Sequence, residues 1–94
     1  MRYAAAKADA NQPEIVKALR RHGATVLHLH TVGRGCPDLA VGVAGSTYLL
    51  EIKDGSGKLT AQEQEFFNLW KGHVAIVRTP AEAVAAVGLT WEDQ

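Results

Sequence analysis

Two apolar segments separated by a short turn give this chain its clearest folding signal. Asp38 to Val43 and Thr47 to Lys53 are dominated by large or β-branched apolar residues, and Ala44-Gly45-Ser46 lies between them. Segments of this kind, joined by a short loop that contains glycine, are typical of a β-hairpin. The sequence therefore predicts a sheet whose central element is an antiparallel strand pair.

The flanking sequence predicts three helices and two more strands. Apolar spacing and end signals place helices at 12–22, 60–71 and 80–87, with Asn11 as the first N-cap and a Thr60–Glu63 capping box at the second. The added strands are 25–31 and 74–77. The predicted order is αβββαβα, an α/β fold with a small mixed sheet flanked by helices.

Length and composition limit the classes of protein to consider. The chain has 94 residues, which predicts a single domain over 1–94. Ten basic residues balance ten acidic ones, which argues against a broad basic surface but allows a local patch. Cys36 is the only cysteine, so no intrachain disulfide forms and a reducing cytoplasm is expected. No apolar run is long enough to span a membrane, and residues 1–11 lack the apolar stretch of a secretory signal.

The third strand carries two charged residues among apolar ones. Because side chains alternate along a strand, Glu51 and Lys53 point to one face, and Leu50 and Ile52 to the other. Asp38 begins the partner strand, so its carboxylate is expected to approach Glu51. Two adjacent carboxylates repel each other unless a proton or cation lies between them, and oxygen ligands suit Mg²⁺ or Mn²⁺.

A structural interpretation of the same residues is also open. Glu-x-Lys tripeptides are common, and Glu51 with Lys53 can be an ordinary ion pair on a solvated sheet. Asp38 can equally end a turn. The pair of motifs becomes specific only together with the surrounding pattern.

That pattern resembles the PD-(D/E)XK nuclease superfamily, and within it the short stand-alone viral VRR-NUC (virus-type replication-repair nuclease) type. The resemblance covers nearly the whole chain, from a helix that bears Glu14 to the helix start at 59–64. Its core is Gly35-Cys36-Pro37-Asp38-Leu39, a hairpin, and Tyr48-Leu49-Leu50-Glu51-Ile52-Lys53. The implied fold is a restriction-endonuclease-like αβββαβα core.

The resemblance also implies a role for each matching residue. Asp38 and Glu51 would be ligands of Mg²⁺ or Mn²⁺, with the Ile52 carbonyl as a third ligand. Lys53 would be the catalytic lysine, and Glu14 would reach the metal directly or through water.

A glutamine of the second helix would complete the implied site. Gln62 and Gln64 are both available, and Gln64 is preferred. The residues expected to contact DNA are Arg34, in a glycine-flanked loop, Lys58 and Lys53 itself.

The implied activity is hydrolysis of DNA phosphodiester bonds by a water that the metal activates. Stand-alone viral relatives are thought to act as homodimers on branched DNA such as four-way junctions. The resemblance implies a phage or prophage protein acting in a bacterial host cytoplasm, with no nucleotide cofactor and no membrane partner. The alternatives are an inactive DNA-binding module with a nuclease fold, or a subunit of a larger replication or repair complex.

Other reactive residues favour structural roles. His28 and His30 share a predicted strand face, but too few ligands lie nearby for zinc, so they are expected to face solvent, DNA or a second subunit. Cys36 has no evident histidine partner and is interpreted as a buried structural thiol. The aromatic face of the second helix is predicted to be core or subunit interface: Phe66, Phe67 and Trp70.

Overall fold

The computed structural model describes residues 10–93, so 1–9 and 94 of the predicted domain lie outside the described residues. Three helices are present in this part of the chain: α1 (Gln12–Arg21), α2 (Ala61–Leu69) and α3 (Pro80–Ala86). The four strands are β1 (Thr25–His28), β2 (Leu39–Val43), β3 (Ser46–Ile52) and β4 (His73–Val77). Their order is the predicted αβββαβα. Within residues 10–93, no helix has the length and apolar character needed to cross a membrane.

The strands form one mixed sheet in the order β1-β2-β3-β4. The predicted hairpin is confirmed, because β2 and β3 pair antiparallel with Leu39 opposite Leu50 and Val43 opposite Ser46. β4 runs parallel to β3 and places Ile76 beside Glu51. The segment between β3 and β4 contains α2, as a parallel connection requires.

One face of the sheet carries the core. Leu50 and Ile52 of β3 are buried on this face, where α1 and α3 pack against the sheet and against each other. The helices contribute buried aliphatic side chains to the same cluster: Ile15, Leu19, Ala83 and Val84. Strand alternation therefore places Glu51 on the opposite face.

α2 lies apart from this core. The predicted capping box is confirmed, since Thr60 Oγ1 accepts from the Glu63 N–H and Glu63 Oε1 accepts from the Thr60 N–H. The helix ends at Leu69, before the predicted Lys71, because Trp70 has an extended backbone. None of its residues is buried, so the prediction of core packing for its aromatic face is wrong, and the interface interpretation stays open.

β1 is shorter than predicted. The Leu29 N–H still bonds to the Asp38 carbonyl, but the Val32 N–H bonds back to the Leu29 carbonyl. The chain therefore turns at this point, and His30 lies beyond the strand that ends at His28. The two imidazoles meet edge to face with their centroids 5.9 Å apart.

Asn11 occupies the N-cap position of α1 without capping it. Its own backbone is helical and its side chain makes no cap hydrogen bond, so that part of the prediction is wrong. Asn11 Nδ2 instead donates to the Lys53 carbonyl at 3.2 Å and to the Arg78 carbonyl at 2.9 Å. The side chain thus bridges the segments that leave β3 and β4.

Candidate active site

Asp38 and Glu51 lie side by side at one end of the hairpin. Asp38 immediately precedes β2, and its N–H bonds to the Leu50 carbonyl at 3.0 Å. Its Oδ2 accepts a hydrogen bond of 2.7 Å from the Ile52 N–H, which orients the carboxylate along the edge of β3. The Glu51 carboxyl lies within hydrogen-bonding reach of the Asp38 carboxyl. The expected approach of these two groups is therefore present.

Glu51 is the more strongly perturbed member of this pair. Its side chain is only 3% exposed, and Oε1 has no hydrogen-bond partner within residues 10–93. Burial, followed by the charges of Asp38 and Glu63, raises the Glu51 pKa from 4.5 to about 9. Two carboxylates cannot share a hydrogen bond without a proton, so this site favours either protonation or a bound cation.

Lys53 provides a cation beside these acids. Its Nζ lies 3.7 Å from Glu51 Oε2 and 2.8 Å from Glu63 Oε1. Burial would raise the Glu63 pKa, but the hydrogen bonds from Lys53 and from the Thr60 backbone outweigh that effect and lower it. Lys53 is thus held between an acid of the sheet and an acid of α2.

Sequence reasoning missed Glu63 as a site residue. The capping-box pattern explained its position in α2, and one carboxylate oxygen does accept from the Thr60 N–H at 2.9 Å. The same oxygen also accepts from Lys53. A signal was available in principle, because the N-terminus of a crossover helix starts near the end of the preceding strand.

The donor set at this point fits a hard divalent cation. Asp38 and Glu51 supply carboxylate oxygens, and the unsatisfied Glu51 Oε1 is the kind of buried atom that a cation would satisfy. The Ile52 N–H faces Asp38, and the N–H and C=O of one strand residue point to the same edge, so its carbonyl faces that way too. Within the described part of the chain, no group of three or more His, Cys, Asp or Glu side chains is arranged to hold a metal. A cation here would depend on two carboxylates and otherwise on backbone, water or substrate oxygens.

A cleft of about 290 Å³ opens beside Asp38 and Glu63. Its wall is the loop 33–35, where Gly33, Arg34 and Gly35 all have positive φ. A Cβ on Gly35 would lie 2.5 Å from the Gln62 carbonyl oxygen, so only glycine lets the loop approach α2 this closely. Arg34, expected from the sequence to contact DNA, lines this cleft, and its contact with DNA stays a prediction.

Of the remaining predicted site residues, one lines the cleft and the others lie outside it. Gln62 lines the cleft, whereas Gln64, the preferred residue, is exposed and donates to Asn68 Oδ1 at 3.0 Å. Glu14 is exposed on α1 and does not line the cleft. Lys58 is exposed in the segment between β3 and α2 and does not line it either.

Cys36 is half-buried in the wall of the cleft and not fully buried as expected. Burial, with the nearby charges of Glu51 and Asp38, raises the pKa of its thiol. A thiol with a raised pKa is a poor nucleophile near neutral pH, in line with the structural interpretation of this residue.

We compared the chain with models of protein families, with curated proteins and with solved structures, and none of the three comparisons found a match.

Proposed function

We propose that this protein is a divalent-metal-dependent deoxyribonuclease of the PD-(D/E)XK superfamily, related to the short viral VRR-NUC type. The observation that supports it best is the convergence of Asp38, Glu51 and Lys53 around one buried, incompletely satisfied carboxyl. The αβββαβα order of a mixed sheet is compatible with the proposed restriction-endonuclease-like core.

In this proposal the two carboxylates and the Ile52 carbonyl hold Mg²⁺ or Mn²⁺. The bound cation supplies charge stabilisation at the scissile phosphate and makes water more acidic. Asp38 is kept in orientation by the Ile52 N–H, so its carboxylate needs little reorganisation on binding. Lys53 would place its ammonium group against a phosphate oxygen, where negative charge increases as the bond breaks.

Substrate binding would use the loop 33–35 and the cleft that it borders. Arg34 lines the cleft and carries a fork of donors that matches a phosphate. Lys58 would add a more distant phosphate contact from its exposed segment. Branched DNA such as a four-way junction is the proposed substrate, and the reducing cytoplasm of a bacterial host is the proposed setting for the free thiol of Cys36.

A homodimer is also proposed, through the side of the sheet that carries Glu51. Leu27 and Ile76 occupy positions on the Glu51 face of the sheet and are 62% and 38% exposed. On α2 and at its C-terminal end, Leu69 is 69% and Trp70 44% exposed. Apolar side chains at such exposure favour a second copy of the chain as cover.

The direct test is cleavage of linear, flapped and four-way DNA with Mg²⁺, with Mn²⁺ and with a chelator. Wild-type protein should cut only with metal, and Asp38→Asn and Glu51→Gln should each lower the rate by at least about a hundredfold. Both substitutions preserve side-chain shape, and the amide oxygen that Asp38→Asn introduces can still accept from Ile52. The matched control is Glu65→Gln on the exposed surface of α2, which should cut like wild type.

Two outcomes would contradict this proposal. Folded protein that binds branched DNA but cuts none of these substrates with either metal would favour an inactive DNA-binding module. Equal cutting by wild type and Glu51→Gln would show that the nuclease centre lies elsewhere.

A further inference from the structure

A second groove lies between α1 and β1, outside the carboxylate cluster. It has a volume of about 500 Å³, which is within the size range of small-molecule sites. Pro13 and Val16 form the helical wall, and the imidazoles of His28 and His30 lie on the other side.

The floor of this groove contains a buried polar side chain that is only partly satisfied. Gln12 is only 3% exposed, and its Nε2 lies in a hydrogen bond of 3.2 Å with His28 Nδ1. Its Oε1 and His30 Nδ1 are both buried and have no hydrogen-bond partner among residues 10–93. A buried polar atom without a partner is costly, so these two atoms indicate a ligand with polar groups of its own, including an N–H or O–H group for Gln12 Oε1.

The rim of the same groove is basic. Lys17 and Arg20 lie one turn apart on α1, and both are exposed where they line the groove. Neither forms an ion pair among the described residues. Because the chain as a whole has no net charge, this pair is a local concentration of positive charge. Cations at the rim, buried polar atoms at the floor and two imidazoles in the wall suit a ligand with a phosphate and a planar, N–H-bearing base.

The groove adjoins the cleft of the candidate active site at His30. His30 lines both the groove and the cleft that contains Asp38 and Glu63. Asn11, next to Gln12 in the chain, holds the Lys53 carbonyl through its side-chain amide. A nucleotide in the groove and a phosphate in the cleft would thus lie on either side of His30.

We propose that the α1–β1 groove takes one unpaired nucleotide of the nucleic acid, next to the bond that the site cuts. This inference rests on the proposed nuclease function and narrows its substrate. A base within a duplex cannot present its pairing edge to Gln12, so only an unpaired or extruded nucleotide fits. The preferred substrate is thus a flap, gap or junction with a free nucleotide beside the cut.

Binding can be measured without cleavage. The test is titration of the folded, metal-free protein with each deoxynucleoside 5′-monophosphate in a chelator, following the side-chain signals of Gln12, His28 and His30 by NMR. Saturable shifts of these signals are expected, with inorganic phosphate binding about tenfold more weakly because it cannot reach Gln12. Equal affinity for phosphate and nucleotide would show that the groove does not recognise the base, and would overturn the proposal.

Variants of the groove residues can separate specific nucleotide binding from general electrostatic attraction to the helix. Lys17→Ala combined with Arg20→Ala should weaken nucleotide binding about tenfold, and Gln12→Met, which keeps the side-chain volume, should weaken it to a similar degree. Arg21→Ala is the matched control, because Arg21 is the next cation on α1, lies outside the groove and donates to the Glu92 carbonyl. An equal loss in Arg21→Ala, or no loss in the other two variants, would overturn the proposal.

The failure of this inference and the failure of the nuclease proposal can be told apart. Nucleotide binding at the groove together with no metal-dependent cleavage would reject the nuclease and retain a nucleotide site. Cleavage that Glu51→Gln abolishes, with no nucleotide binding at the groove and equal rates on paired and unpaired substrates, would retain the nuclease and reject this inference.

Discussion

Lys53 Nζ lies 2.8 Å from Glu63 Oε1, nearer than the 3.7 Å that separates it from Glu51 Oε2. The lysine of the Glu-x-Lys motif is therefore held by the helix that follows the motif as well as by the strand that carries it. This contact gives Glu63 a positioning role, because the residue would act through Lys53.

Replacing Glu63 by glutamine should separate that role from helix capping. The amide oxygen that Glu63→Gln introduces can still accept from the Thr60 N–H, but the ion pair that fixes the ammonium is lost. We expect kcat to fall about tenfold with KM nearly unchanged, because ground-state binding is retained and only the orientation of Lys53 is lost. Kinetics of Glu63→Gln beside Glu65→Gln will check this, and a shift confined to KM would speak against positioning.

The Glu51 pKa of about 9 makes the stability of the metal-free protein depend on pH. Between the ordinary value of 4.5 and about 9, the folded state holds a proton that the unfolded state has lost. The free energy of unfolding should therefore fall as pH rises through this window, by at most about 1.4 kcal/mol per pH unit. At pH values below this window the lowered Glu63 pKa has the opposite effect, so that the free energy of unfolding falls as the pH falls.

Urea denaturation in a chelator at about pH 5 and about pH 8 measures this slope. Glu51→Gln cannot ionise, so its stability should change less over the interval and exceed that of wild type at the higher pH. Adding Mg²⁺ or Mn²⁺ should stabilise wild type more at about pH 8 than at about pH 5, since binding displaces the proton. Parallel pH profiles for wild type and Glu51→Gln would contradict the burial of an ionisable carboxyl here.

The two glutamines of α2 offer a matched comparison at the cleft. Gln62 lines the cleft, whereas Gln64 is turned to Asn68 on the exposed side of the helix. We expect Gln62→Ala to reduce cleavage several-fold and Gln64→Ala to leave it unchanged, each with a folded protein by circular dichroism. A loss of cleavage in Gln64→Ala but not in Gln62→Ala would instead support Gln64, the residue preferred from the sequence.

The contrast between these glutamines illustrates what the sequence can predict. Asp38 and Glu51 were placed together correctly because hairpin register and strand alternation are local rules. Which side of α2 faces the cleft is set by the close approach of the Gly35 loop to the Gln62 backbone, a contact between segments distant in sequence. The turn at Leu29 is a local feature instead, closed by the Val32 N–H on the Leu29 carbonyl within an alternating, β-branched stretch that favours a longer strand.

Exposed apolar residues give the proposed homodimer a direct test. Trp70→Asp would place a charge at the exposed C-terminal end of α2, and Leu27→Asp would place one on the sheet itself. Sedimentation should report a dimer for wild type and a shift towards monomer for both variants, because burying an unpaired carboxylate is unfavourable. Val32→Asp, exposed outside the sheet and α2, is the control, and a monomeric wild type would exclude the dimer.

Asn11 gives a prediction that depends on one amide. Its Nδ2 donates to the carbonyls of Lys53 and Arg78, so it fixes the backbone from which the proposed catalytic lysine projects. Asn11→Asp keeps the shape but sets a carboxylate against two carbonyl oxygens, whereas Asn11→Ala only removes the bonds. We expect Asn11→Asp to be more destabilising, by roughly 1–3 kcal/mol relative to wild type in chemical denaturation. If both variants unfold at the same denaturant concentration as wild type, the two hydrogen bonds of Asn11 contribute nothing to stability.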